Sequence, residues 1–141
     1  MGLDIEWELP RVGSSPNPPA IIQLVAGKLV VIFQVLHGQR LAPKALPSSL
    51  QNILENSKIV KAGVAISAEC IRLRNLYNVE VANAVNLVRL GRDRQVKLGR
   101  NGLADLCADL LGKRLEKEQH LRVSKWNTPH LSDAQKGWVP V

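Results

Sequence analysis

The sequence predicts an α/β domain with a mixed sheet of about five strands, three antiparallel and then parallel, flanked by helices. Three observations predict it. The chain opens on a strict alternation, Leu3, Ile5 and Trp7 against Asp4, Glu6 and Glu8, which is the period of a half-buried strand. Two Ile/Val/Leu-rich runs follow, split only by Gly27-Lys28. After them, helix-period segments alternate with short apolar runs, the order of βα units.

The first strand, Gly2–Glu8, puts three carboxylates on one face and three apolar side chains on the other. Carboxylates this close repel one another and disfavour each other's ionisation. A divalent cation held by their oxygens relieves that repulsion. A solvated acidic edge also accommodates it, so the strand alone does not choose.

Pro10–Pro19 is rich in Pro, Gly, Ser and Asn and reads as a loop. Ala20–Ala26 and Leu29–Leu36 form a tight antiparallel hairpin, with Gln23 and Gln34 as its polar interruptions. Leu46–Asn56 is a short amphipathic helix started by Pro47-Ser48, with Leu50, Ile53 and Leu54 as its stripe. Ile59–Ile66 is a buried-type strand in which Gly63 permits close backbone approach. Ser67 is the expected N-cap of a helix over Ala68–Tyr77, with Cys70 or Ile71, Leu73 and Leu76 inward. Val79–Leu87 reads as a further strand. Gly91–Gly102 reads as a mobile basic loop carrying Arg92, Arg94, Lys97 and Arg100. Leu103–Leu111 is a helix whose Leu103, Leu106, Cys107, Leu110 and Leu111 share a face, ended by Gly112. A last short segment covers Leu131–Trp138.

Composition narrows the function classes. With 45% hydrophobic but 4% aromatic residues, the core must be built from Leu, Val, Ile and Ala. No run of about 18 apolar residues is present, so no transmembrane helix is expected. The acidic first strand is unlike a signal peptide. Cys70 and Cys107 lie in apolar-periodic segments without metal-type spacing and read as reduced core residues of an intracellular protein. The net charge of +7 is uneven. Residues 1–70 hold 6 Lys/Arg against 5 Asp/Glu, and residues 71–141 hold 13 against 7. A basic second half beside an acidic strand fits a polyanion held near metal-binding carboxylates.

Five landmarks then occur in order: Leu3-Asp4-Ile5-Glu6-Trp7; Ile22-Gln23-Leu24; Lys61 to Ile66 followed by Ser67-Ala68-Glu69; Leu111-Gly112-Lys113; and Trp126 with Leu131-Ser132 and Gln135-Lys136. Together they resemble the 3′–5′ exonuclease domain of the RNase D and Werner-syndrome helicase type. This is the tyrosine-containing DEDD group of the ribonuclease-H-like superfamily. The resemblance runs from residue 3 to residue 138. It implies a ribonuclease-H-like fold, hydrolysis from the 3′ end of DNA or RNA, and two divalent ions, Mg²⁺ or Mn²⁺, about 3.5–4 Å apart.

Carried over residue by residue, Asp4 and Glu6 match the first motif and Glu69 the second, as metal-binding and catalytic groups. Glu69 stands where an aspartate is usual, one methylene longer. Glu8 lies outside the motif and reads as a solvated strand end. Independently of the resemblance, the charges of Arg92, Arg94, Lys97 and Arg100 read equally as candidate phosphate contacts and as a solvated loop. The third motif is a tyrosine, three residues and an aspartate. Trp138 stands at the tyrosine, and the aspartate would fall one residue past Val141. An indole N–H donates but takes up no proton, so Trp138 is not expected to activate water as a tyrosine would. On this reading residues 1–141 are a single, incomplete exonuclease domain, truncated at its C-terminus, with catalysis impaired. The Werner-type resemblance implies a nuclear location.

Three functions stand open at this point: a metal-dependent exonuclease, an inactive relative that still binds nucleic acid, and a non-enzymatic interaction domain.

Overall fold

The computed structural model describes residues 1–7, 18–36, 45–96, 99, 102–115, 119–122 and 124–138. Glu8, Lys97 and Arg100, and most of the loop expected over Pro10–Pro19, lie outside the described residues.

Five strands form one sheet: β1 (Gly2–Trp7), β2 (Pro19–Ala26), β3 (Leu29–Gln34), β4 (Lys61–Gly63) and β5 (Ala84–Asn86). Their order is β3-β2-β1-β4-β5, so β1 is central. β1–β2 and β2–β3 are antiparallel, whereas β1–β4 and β4–β5 are parallel. The expected mixed sheet is therefore present. Gly27 takes φ +60, the left-handed conformation that the two-residue hairpin turn between β2 and β3 needs.

The two sheet faces have different covers. On one, Leu3 and Ile5 of β1 and Ile22 and Leu24 of β2 pack with Leu50 and Leu54 of α1 (Ser48–Glu55) and with Ile66, Leu73 and Tyr77 of α2 (Ile66–Tyr77). Trp7 packs on the edge of this cluster. On the other face, Ile21 packs with Leu121, Trp126, Leu131 and Trp138 from the C-terminal third of the chain. Asp4 lies opposite Gln23 and Glu6 opposite Ile21, on this second face.

β4 is three residues long, not the Ile59–Ile66 expected. The chain leaves it through Ala65, which adopts a left-handed φ of 60 and directly precedes α2. The helix therefore starts at Ile66, which is buried at 1% exposure, and Ser67 lies inside it rather than capping it. The backbone turn at Ala65, not a side-chain cap, sets the helix start. The inward stripe shifts accordingly: Leu73 and Tyr77 are buried, whereas Ile71 and Leu76 are exposed. Gly63 does allow a close approach, since a Cβ there would stand 2.6 Å from the Leu3 carbonyl oxygen. Lys61 is buried, and its ammonium donates to the carbonyl of Asn56 (2.8 Å), the C-cap residue of α1, and to that of Ile59 (2.9 Å) in the turn before β4. Burial lowers its pKa.

The strand expected over Val79–Leu87 is only Ala84–Asn86. Asn86 accepts from the backbone N–H groups of Val88 (3.0 Å) and Arg89 (3.2 Å) and so caps α3 (Leu87–Asp93). This corrects the start of the loop expected over Gly91–Gly102: Gly91–Asp93 belong to the helix, with Gly91 buried, whereas Arg94–Val96 lie beyond it. α4 (Leu103–Leu111) ends at Gly112, φ +63, as expected. Its five apolar residues face Leu87, Leu90 and Val96 across an open groove of about 350 Å³, which leaves Leu110 and Leu111 exposed. The free cysteines are half-buried rather than core: Cys70 flanks the first cluster and Cys107 lines the groove. α5 (Gln119–Arg122) and α6 (Asp133–Gly137) complete the chain. Among the described residues, no helix is long and apolar enough to cross a membrane.

Candidate active site

The site forms where β1 runs past the short β4. β4 pairs with β1 only at Gly2. Farther along β1, the edge on that side is open to the first turn of α2, which carries Glu69. The Ile5 backbone N–H donates to the Glu69 carboxyl, and the charges of Asp4 and Glu6 act on it. The three residues singled out in the sequence thus converge from two elements. The Ala65 turn makes this possible by starting α2 within two residues of β4.

Glu69 is half-buried, and its pKa is pushed up to about 8. Burial contributes most, followed by repulsion from Asp4 and then Glu6, with the Ile5 N–H and Arg72 opposing. Its Oε2 is buried without a hydrogen-bond partner. A buried, unpartnered carboxylate oxygen facing two more carboxylates is costly unless a proton or a cation meets it. The donors are all hard oxygens, a set that suits Mg²⁺ or Mn²⁺. Asp4, Glu6 and Glu69 match such an ion in donor chemistry. Among the described residues, no group of three or more His, Cys, Asp or Glu side chains is placed to hold a metal ion as it stands.

The C-terminal segment stands on the same sheet face and is latched there by amides. Gln23 Nε2 donates to the Trp138 carbonyl (3.1 Å), and Gln34 Nε2 to the Thr128 carbonyl (3.0 Å). Gln135 Nε2 donates to Ser124 Oγ and to the Lys125 carbonyl, both at 3.1 Å. Ser132 and Gln135 close a capping box at the start of α6. The polar interruptions of the hairpin, Gln23 and Gln34, are thus its docking points. Trp138, 7% exposed, then donates its indole N–H to Glu6 Oε1 at 3.0 Å.

The sequence marks Trp138 as the substitute for a tyrosine but gives it no partner, and it gives no role to one further residue near the carboxylates. Arg72 was not singled out, yet it lies three residues after Glu69 on α2 and acts on its charge. Its guanidinium sits 4.7 Å from the centre of the Trp7 ring. The i, i+3 spacing from Glu69 was the available signal. By contrast, Arg92 lies on α3, and Arg94 borders the apolar groove.

A family model described as 3′-5′ exonuclease matches residues 1–137. An Arabidopsis thaliana 3′-5′ exonuclease is 30% identical over 137 residues, which cover 96% of this chain and 46% of that protein. The chain spans less than half the length of the curated relatives it matches. Among solved structures, the EXD2 exonuclease domain soaked in Mn and GMP is 29% identical at a TM-score of 0.52, covering 96% of this chain and 66% of that one. Brucella melitensis NrnC bound to pGG shares the fold at a TM-score of 0.74 and 20% identity, covering 97% of this chain and 62% of that one.

Proposed function

The chain belongs to the 3′-5′ exonuclease family, and on that premise we propose that it is a metal-dependent exonuclease that hydrolyses nucleic acid from a 3′ end. The observation that carries this reading is Glu69: a half-buried carboxyl with one buried, unpartnered oxygen, acted on by the charges of Asp4 and Glu6. Asp4 and Glu6 of β1 and Glu69 of α2 would hold the divalent ions. The EXD2 relative soaked in Mn and GMP supports the choice of ion. When bound, one or two such ions lower the pKa of water and neutralise charge on the phosphate.

The protein's own groups have distinct tasks around that centre. Asp4 and Glu6 are spaced by the strand period, so the rigid central strand fixes their separation. The Ile5 N–H orients Glu69 toward them. Arg72, braced on Trp7, supplies a positive group for the phosphate of a nucleic-acid strand beside the carboxylates. The basic residues of the second half, Arg92, Arg94, Lys97 and Arg100 among them, would attract that strand over longer range.

One observation favours a second reading, a relative that binds nucleic acid without cleaving it. Trp138 takes the place that the family resemblance gives to a tyrosine, and its N–H is engaged by Glu6. Indole neither accepts a hydrogen bond nor takes up a proton.

The test is an oligonucleotide labelled at its 5′ end, incubated with Mg²⁺ or Mn²⁺. An exonuclease yields a ladder shortening from the 3′ end, abolished by chelation and by Asp4→Ala. No shortening by folded protein at any metal concentration overturns the reading. Salt-sensitive binding without shortening, unaffected by Asp4→Ala, establishes the second one.

A further inference from the structure

We propose that Trp138 is a positioning residue for Glu6: its indole N–H holds one oxygen of that carboxylate and fixes how the other is presented to a cation. The inference rests on the metal-dependent reading above.

The hydrogen bond joins residues 132 apart in the chain, at 3.0 Å. Its direction is unambiguous, because indole nitrogen only donates. The ring is fixed independently of Glu6. It packs in the second core cluster with Ile21, the cross-strand neighbour of Glu6. Its carbonyl accepts from Gln23, which is 0% exposed and lies opposite Asp4 on the neighbouring strand. Its backbone N–H donates to the Gln135 carbonyl (3.2 Å). A donor anchored this way restricts the rotation of the carboxylate instead of following it. Being neutral, it supports the anionic carboxylate without adding a positive charge that would oppose a bound cation. Groups behind a metal ligand orient it, and their loss costs metal affinity. The same residue that cannot serve as a proton acceptor therefore serves the site as a fixed donor.

The competing account is that Trp138 is a core aromatic whose N–H meets the nearest acceptor. Two variants separate them. Trp138→Phe keeps an aromatic ring and removes the donor. Replacement by 3-benzothienylalanine keeps the bicyclic shape and replaces only the N–H by sulfur. Mn²⁺ binding is read by titration calorimetry and folding by thermal melting. Mn²⁺ affinity is expected to fall about tenfold in both variants. In the wild type, the ¹⁵N-indole signal that Trp138→Phe removes should shift with Mg²⁺ more than the signals of Trp7 and Trp126. Should Phe at this position prevent folding, the isosteric replacement and the indole signal decide. Wild-type Mn²⁺ affinity in a folded variant, or an indole signal indifferent to Mg²⁺, overturns the positioning role alone. Failure of the wild type to bind Mn²⁺ overturns the metal-dependent reading itself, and this role with it.

Discussion

The two faces of β1 are built from alternate residues of one six-residue strand, and they obey opposite rules. Leu3 and Ile5 enter a cluster in which Ile22, Leu50, Leu54, Leu73 and Val79 are all at 0% exposure. Every group there gains by being dry. Asp4 and Glu6 enter a region of like charges, where half-buried Glu69 has one buried oxygen unsatisfied. An apolar cluster around Ile21, Trp126 and Trp138 covers this second face, and polar groups add to it there: Gln23, Gln34, Gln135 and the indole N–H of Trp138. Both faces bury apolar side chains, but only the second also gives up some of that stability to keep three carboxylates close. Electrostatic tension within a rigid frame is a recurrent property of functional sites.

The comparison breaks most sharply at Asp4. Asp4→Ala should lower exonuclease turnover on the order of a thousandfold, as loss of a charge-stabilising group does elsewhere. It should leave the melting temperature unchanged or raised, because it removes repulsion from Glu69. A large fall in the melting temperature would show that Asp4 holds the fold.

Leu50→Ala is the mirror experiment on the other face. Leu50 is fully buried, so truncation should cost about 2–5 kcal/mol in denaturant unfolding. The Mn²⁺ affinity of the folded fraction should stay as it was. A parallel loss of metal affinity would mean that the two faces are not separable.

The tension itself is visible in pH. In metal-free protein the Glu69 pKa is about 8, against 4.5 for a free carboxyl. Below pH 4.5 both folded and unfolded chains hold the proton, and this group contributes its full stability. Between 4.5 and 8 the unfolded chain releases the proton while the folded chain retains it, so stability falls as pH rises. The loss should be on the order of a few kcal/mol across that window. Melting temperatures of the wild type in chelator should decline accordingly, and those of Glu69→Gln should decline much less. Equal slopes would remove Glu69 as the source.

The smallest effect is expected at Arg72. Its contact with Trp7 is exposed, worth about 0.5–1 kcal/mol. Arg72→Ala should raise KM for an oligonucleotide by roughly twofold to fivefold, the ratio shrinking as salt is added. An unchanged KM at low salt would assign Arg72 to packing alone.

The apolar side of this comparison was legible from the sequence. The period of two in Leu3, Ile5 and Trp7 and the run Ile21–Leu24 follow directly from burial. Gly63 was legible too, since a strand glycine implies a close neighbour, and the Leu3 carbonyl is that neighbour. The polar side was legible as residue types but not as geometry. Asp4, Glu6 and Glu69 were nameable from motif resemblance, and their convergence is a feature of the structure. It depends on Ala65 adopting a left-handed turn, a conformation its side chain does not signal. Ser67 looked like a cap because its type favours caps, and tertiary burial of Ile66 overrode it. Asn86 carried an equally good capping signal that the apolar run Val79–Leu87 concealed. The bond from Trp138 to Glu6 spans 132 residues, and no local pattern encodes it.

The central claim is that Asp4, Glu6 and Glu69, brought from two elements, form one cation site. Calorimetric titration of Mn²⁺ into the wild type, Asp4→Asn and Glu69→Gln tests it most directly. The account predicts saturable binding to the wild type, weakened at least tenfold by either substitution in chains that melt normally. Equal Mn²⁺ affinity in all three proteins, or no binding by the wild type, would contradict it.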